Sequence, residues 1–334
     1  MMNSMPFSFT FNEEGDAFLG RISINDLVSL YGTPLYLIDQ LTVEKNCFQY
    51  TSSLKKYYPN YKLLYASKAN ANIGLFQLIH KQGLQFDVSS GGELYTALKA
   101  NVPATNIYFH GNNKTREELI LAMTKGINLV IDNRQELDNI QAILNESRVN
   151  FDVVKLMVRL KPEIDAHTHE YIKTGQIDSK FGIDKDQIIS IVEDIHTHSK
   201  LDFVGIHSHI GSQIFDVTPY KELVHTLMAT VEVICQRSIP IKELNIGGGI
   251  GIFYTSGDAP FDIDLFIKTV SSSIKEEFEK RNLPLPILIL EPGRSIVGRA
   301  GVTLYRVGTI KEIIDQKTYL FVDGGMADNP RPMM

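Results

Sequence analysis

The chain has 334 residues, 43% hydrophobic and 22% charged, which is ordinary for a soluble globular protein with room for one large and one small domain. A net charge of −6 argues against a nucleic-acid binder, and no stretch offers the roughly 18 consecutive apolar residues of a membrane helix. Two distant cysteines, Cys47 and Cys235, stand in neither metal nor redox spacing, and residues 1–12 lack the basic-then-apolar pattern of a signal peptide, so a cytoplasmic chain without a disulfide framework is expected.

In chain order, residues 18–24 read as a strand before a short helix, and residues 33–38 as another strand. Eight short apolar, β-rich runs follow, at 64–69, 86–90, 107–111, 129–132, 155–160, 203–209, 244–247 and 287–291. Amphipathic stretches separate most of them, among them 73–81, 93–100, 116–125 and 135–146. Strand and helix alternating in this way predict parallel βαβ units, and eight units predict a closed (β/α)8 barrel, which takes about 250 residues. An open doubly wound sheet is the alternative. Residues 301–314 and 318–323 read as further β structure. The expected organisation is a barrel over 35–299 and a smaller β-domain built from both ends, 1–34 and 300–334.

Chemically capable residues collect at the ends of the eight runs. Lys68 ends the first, Asp87 stands in the second, and His110, Asp132 and Arg159 close the next three. His207, His209 and Ser212 follow at the sixth, Gly247, Gly248 and Gly249 at the seventh, and Glu291, Pro292, Gly293 and Arg294 at the eighth. In a parallel barrel these ends meet at one mouth, where barrel active sites lie.

A lysine at the end of a buried strand loses solvation and suits Schiff-base chemistry, although it can equally snorkel from the rim. The triglycine lets backbone amides approach an anion, or forms a tight turn, and Arg294 supplies a charge partner for phosphate on the neighbouring strand. Glu291 after four apolar residues needs a partner, either a cofactor's ring nitrogen or an arginine, Arg294 or Arg159. The pairs His167/His169, with Glu170, and His207/His209 permit a metal, but no third ligand cluster stands at a familiar spacing, so no metal is expected. The two cysteines are read as packing residues.

These motifs resemble a known family. The segment YASKAN at 65–70 is similar to the cofactor-lysine segment of the fold-type III pyridoxal-phosphate decarboxylases. The same holds for DVSSGGE at 87–93, HSHIGSQ at 207–213, NIGGGIG at 245–251, EPGR at 291–294 and DGGM at 323–326. FHGNNK at 109–114, residues 165–182 and Arg331-Pro332 resemble the diaminopimelate branch of that family rather than the ornithine or arginine enzymes.

The resemblance implies an alanine-racemase-like barrel that binds pyridoxal 5′-phosphate and converts meso-2,6-diaminopimelate to L-lysine and CO2. It implies Lys68 as the covalent anchor, His209 on the ring face and Glu291 on the ring nitrogen. Ser212, Gly247, Gly248, Gly249 and Arg294, with Pro292 and Gly293 alongside, would surround the phosphate. Arg294 and Arg331 would meet a substrate carboxylate. Asp87 would adjoin the cofactor, and Glu93, His110 and Arg159 would form a supporting shell. A homodimer with active sites at its interface is implied too.

In the family, most of a C-terminal β-domain follows the position of Met334, with a Cys-Glu-Ser segment whose cysteine is the expected proton donor, and a late tyrosine. The expectation is that these 334 residues alone bind the cofactor poorly and decarboxylate weakly or not at all. The strands at 301–314 and 318–323 would then show unpaired edges. Three other functions stand beside this one: an ornithine or carboxynorspermidine decarboxylase, an alanine-type racemase, and a non-catalytic barrel that carries the cofactor. Glu291 argues against the racemase, which pairs the ring with arginine.

Overall fold

The computed structural model describes residues 4–146, 151–162, 164, 180–255, 257–260, 262–314 and 316–328. Eight parallel strands close into a barrel: β1 (Tyr61–Ala66), β2 (Gln85–Val88), β3 (Ile107–Phe109), β4 (Asn128–Ile131), β5 (Val154–Arg159), β6 (Leu201–His207), β7 (Glu243–Asn245) and β8 (Ile287–Leu290). Each pairs with the next, and β8 returns to β1 through Leu288↔Tyr61, which rules out the open sheet. All eight expected runs are strands, but several stop before the polar residue that was read as their end. β1 ends at Ala66, and Lys68 sits in a single 3-10 turn, Ser67–Ala69.

Helices α1 (Gln40–Tyr57), α2 (Ile73–Lys81), α3 (Gly91–Lys99), α4 (Arg116–Lys125), α5 (Arg134–Glu146), α6 (Lys185–Thr197), α7 (Thr218–Gln236) and α8 (Ile263–Lys280) form the outer ring. Local sequence explains their limits. The Asn72 side chain caps α2 by accepting from Leu75 N at 2.8 Å. Thr115 and Glu118 form a reciprocal capping box at the start of α4, and Gly126 ends that helix in the left-handed region at φ 69°.

α2 turns Leu75, Phe76 and Ile79 inward, and the Phe76 ring meets Phe86 of β2 at 4.8 Å between centroids. Burying each such side chain is worth about 1.5–3 kcal/mol. The ring position between α8 and α2 is filled by α1, which precedes β1. Only a short turn, Arg294–Val297, follows β8.

Leu64, Tyr108, Val130, Met157, Val204 and Ile289 fill the barrel's interior. At the end opposite the mouth, Lys62 forms an ion pair with Glu243, whose two oxygens also accept from Tyr108 OH at 3.1 and 3.0 Å. This polar plug leaves the other end for chemistry. β6 bulges at Val204, and Gly205 follows because a Cβ there would lie 1.8 Å from the Glu243 carbonyl.

Outside the barrel, Leu35–Ile38 pairs antiparallel with Gly301–Leu304, joining the two flanks of the chain. Val307–Ile313 and Lys317–Val322 form an antiparallel hairpin. That hairpin leaves Ile310, Leu320 and Phe321 exposed. The N-terminal strands Phe9–Phe11, Ala17–Leu19 and Ile22–Ser23 form their own sheet, ahead of the short helix Ile24–Tyr31. No helix among the described residues is long and apolar enough to cross a membrane.

Candidate active site

A cavity of about 360 Å³ opens at the C-terminal ends of the strands. Lys68, Asp87, His209, Ser212, Gly248, Gly249, Glu291, Gly293 and Arg294 line it, so most of the expected site residues converge on one space. Tyr254, Ser295, Val297 and Gly298 line it as well without having been singled out in the sequence, beside Ala66, Ala69 and Ile250 from the quoted segments. Gly247 and Pro292 lie behind the wall, against a small apolar void beneath it. Arg331, His167 and His169 fall outside the described residues.

Lys68 is exposed, so of the two readings its place at a strand end allows, the structure shows the lysine at the rim. Leaving the strand at Ala66 lifts the side chain into the open mouth, so its environment in this chain is solvent and the cavity together. The turn that carries it is fixed from below. Ser67 Oγ donates to the Asp87 carbonyl at 2.6 Å and to Glu93 Oε2 at 2.8 Å, and Ser89 N donates to the same Glu93 oxygen at 2.6 Å. Glu93 thus ties the ends of β1 and β2 together and supports the lysine without lining the cavity.

Beneath the cavity lies a buried cluster of acids and histidines. Glu291 Oε2 is 3.1 Å from His207 Nε2, and Oε1 is 2.9 Å from His110 Nε2 and accepts from Asn245 Nδ2 at 2.6 Å. The arginines weighed from the sequence are not its hydrogen-bond partners. Burial alone would raise the Glu291 carboxyl, but His110 and His207 outweigh it and hold the group well below the usual glutamate range. Burial pushes His207 down to about 4 despite Glu291, so it stays neutral and presents Nε2–H to the carboxylate.

His110 is raised. Burial works against its charge, but Asp87, 3.7 Å from its Nε2, and Glu291 favour it more strongly. His209 is lowered well below the ordinary histidine value, first by burial and then by the positive charges of Lys68 and Arg159. Arg159 pairs with Asp132 at 3.5 Å and stands 4.8 Å from the Phe181 ring centroid. It stands at the end of β5, and its positive charge is felt at His209.

Asp87 is pushed up to about 6 from 3.8, chiefly by burial and by the nearby Glu291, with His110 and Lys68 opposing. Between those values the folded chain holds a proton that the unfolded chain has released, so Asp87 subtracts stability as pH climbs through the window. Asp87→Asn removes that dependence. The stability of the variant relative to the parent should therefore grow from pH 4 to about pH 6, by up to about 1.4 kcal/mol per pH unit, and level off above it. Urea denaturation at several pH values reads the difference, and a gap that narrows with pH would show that the fold favours the Asp87 anion.

The opposite end of the cavity is built for an anion. Arg294 Nε donates to Ser212 Oγ at 3.2 Å, and Gly248 and Gly249 stand alongside. The triglycine is dictated by packing: a Cβ on Gly248 would lie 2.0 Å from the Glu291 carbonyl. The three carbonyls are engaged, by Glu291 N, Tyr220 OH and Ile214 N in turn, so the peptide planes are fixed. Gly247 gives its own N–H to Asn245 Oδ1 at 2.9 Å, which leaves Gly248 and Gly249 as the cradle.

A parallel barrel with a reachable lysine, an anion cradle and a charged core between them has the parts to hold a phosphorylated carbonyl compound. Residues 43–298 match the family model described as pyridoxal-dependent decarboxylase, pyridoxal binding domain. The chain is 41% identical over 340 residues to the diaminopimelate decarboxylase of Synechocystis, covering 99% of this chain and 72% of that protein. The crystal structure of diaminopimelate decarboxylase from M. jannaschii superposes with a TM-score of 0.88 at 32% identity, covering 98% of this chain and 75% of that one. The Helicobacter pylori diaminopimelate decarboxylase complexed with L-lysine gives a TM-score of 0.83 at 28% identity, covering 92% of this chain and 74% of that one. The chain belongs to the pyridoxal-dependent decarboxylases, and it spans about three quarters of the length of these relatives.

Proposed function

We propose that these residues form the pyridoxal 5′-phosphate site of a decarboxylase that converts meso-2,6-diaminopimelate to L-lysine and CO2, with Lys68 as the cofactor's anchor. The observation that carries the reading is the placement of Lys68, Glu291 and the Gly248–Gly249–Arg294–Ser212 cradle around one cavity of about 360 Å³. The cofactor fits these residues: the lysine amine is within the cavity, the glycine cradle has no room for a Cβ at Gly248, and an anionic carboxylate forms the floor. The relatives named diaminopimelate decarboxylase support the substrate, and the lysine held by the Helicobacter pylori protein is the product of that reaction.

When bound, the cofactor supplies a sink for the electron pair left on Cα as CO2 departs. The chain's own residues set the conditions for that step. Glu291 keeps its negative charge at neutral pH and is the group to hold a proton on the ring nitrogen. His209 is uncharged and offers a flat face to the ring. Arg294, Ser212, Gly248 and Gly249 hold the phosphate, and Arg294 also serves the substrate carboxylate, with Arg331 as its proposed companion. Lys68 would anchor the cofactor covalently through its amine, which reaches into the cavity. A homodimer belongs to the same reading, as the resemblance to the family implies.

The test is borohydride reduction of the chain incubated with pyridoxal 5′-phosphate, followed by peptide mass mapping and an assay of CO2 release from meso-2,6-diaminopimelate. The cofactor mass is expected on the peptide containing Lys68, and CO2 release is expected to exceed that from ornithine. A label spread over surface lysines, unchanged by Lys68→Ala, would overturn the assignment.

A further inference from the structure

Tyr254, on the loop after β7, carries no signal in the sequence, yet it lines the anion end of the cavity. Its hydroxyl accepts from Arg294 Nη1 at 2.6 Å, and the guanidinium carbon stands 5.6 Å from its ring centroid. Arg294 is thereby held on two sides, by Ser212 and by Tyr254. The loop itself is fastened: Asp258 Oδ2 accepts from Tyr254 N at 2.8 Å and from Thr255 N at 2.7 Å. Tyr254 is therefore a placed residue although it is 56% exposed.

A guanidinium can only donate, so the Tyr254 oxygen is the acceptor in this pair and its own proton is left to give. No acceptor for that proton is found among the described residues. The atom that would use it is an oxygen of an anion beside Arg294, Ser212 and the two glycines. We propose that Tyr254 is a phosphate-binding residue of this site, its O–H donating to a phosphate oxygen while its lone pair steadies Arg294. The inference rests on the reading of the cavity as a pyridoxal-phosphate site. Its consequence is selectivity: Tyr254 favours the phosphorylated cofactor over the same ring without phosphate.

The experiment compares the parent chain with Tyr254→Phe, titrating each with pyridoxal 5′-phosphate and with pyridoxal, read by absorbance and by borohydride trapping. Phenylalanine keeps the ring beside Arg294 and sits at an exposed position, so the fold is not at stake. A hydrogen bond to a charged group is worth enough to predict a rise in Kd for pyridoxal 5′-phosphate of roughly 10- to 100-fold. The Kd for pyridoxal should stay within about twofold, because the lost contact is to the missing phosphate. Equal weakening of both ligands, or no change in either, overturns the inference while a Lys68 adduct on the parent leaves the cofactor site standing. A parent chain that forms no adduct at Lys68 overturns both.

Discussion

Replacing Lys114 with methionine is expected to cost about 3–5 kcal/mol of folding stability, because it removes one partner of a buried ion pair and strands the other. Lys114 Nζ donates to Glu136 Oε1 at 2.6 Å and to the carbonyls of Gly111 and Val130, each at 2.9 Å, with its side chain 1% exposed. Methionine fills the space but satisfies none of the three oxygens. Glu136 would keep only the backbone amide of Asp132, and burial already raises its carboxyl despite Lys114. The stranded acid should take up a proton, and the variant should lose further stability as pH rises. The double variant Lys114→Met/Glu136→Leu should recover much of the loss, since no unpaired charge remains. Urea denaturation of the parent, both singles and the double checks this; a cost under about 1 kcal/mol for Lys114→Met would mean the pair is replaceable by water. The pair matters beyond stability, because the Gly111 carbonyl it holds belongs to the loop that sets His110 beside Asp87 and Glu291.

Lys114 also shows how far the sequence could be read. Local rules served well where the cause was local. The helices at 73–81 and 116–125 have the expected bounds, since Asn72 and the Thr115–Glu118 box mark their starts in the sequence itself. The eight strands were legible as apolar runs, and their order followed from alternation with helices. What stayed open depended on distance. For Lys68 a desolvated and a rim-exposed side chain were both open, because whether a residue at a strand's end is buried is decided by where its neighbours stop. Glu291 left a ring nitrogen or an arginine open, while its partners within the chain are two histidines and an asparagine brought by β3, β6 and β7. His207 and Asn245 were visible inside quoted motifs, but only closure of the barrel turns both toward β8. Tyr254 had no motif value at all; its one cue was an aromatic residue shortly after a glycine run. The placing of α1 between α8 and α2 likewise follows from closure and from the short turn after β8.

Glu291→Gln carries the other large effect: CO2 release by the cofactor-loaded chain is expected to fall by on the order of 10²–10³-fold relative to the parent. The substitution is close to isosteric. A glutamine oxygen can still accept from Asn245 Nδ2, and its amide N–H can donate to His207 Nε2 once that neutral ring moves its proton to Nδ1, so the floor of the cavity should keep its shape. What disappears is a full negative charge in a water-poor setting, where charge is worth far more than at the surface. Two neighbours report on that loss independently of turnover. His110 is raised by Asp87 and Glu291 together, and Asp87 is pushed up to about 6 in part by Glu291. Removing one anion lowers both: His110 should release its proton at lower pH, and Asp87 should ionise more readily. NMR titration of the His110 imidazole in the cofactor-free chain reads the first shift, and the urea midpoint between pH 4 and pH 7 reads the second. Retained CO2 release with an unshifted His110 would mean that the carboxylate is a structural acceptor only. A fallen rate with an unshifted His110 would leave Glu291 serving the cofactor while breaking the electrostatic coupling of the cluster. Downward shifts in both neighbours together with a lower rate identify one charge that both holds the buried histidine's proton and supports the decarboxylation.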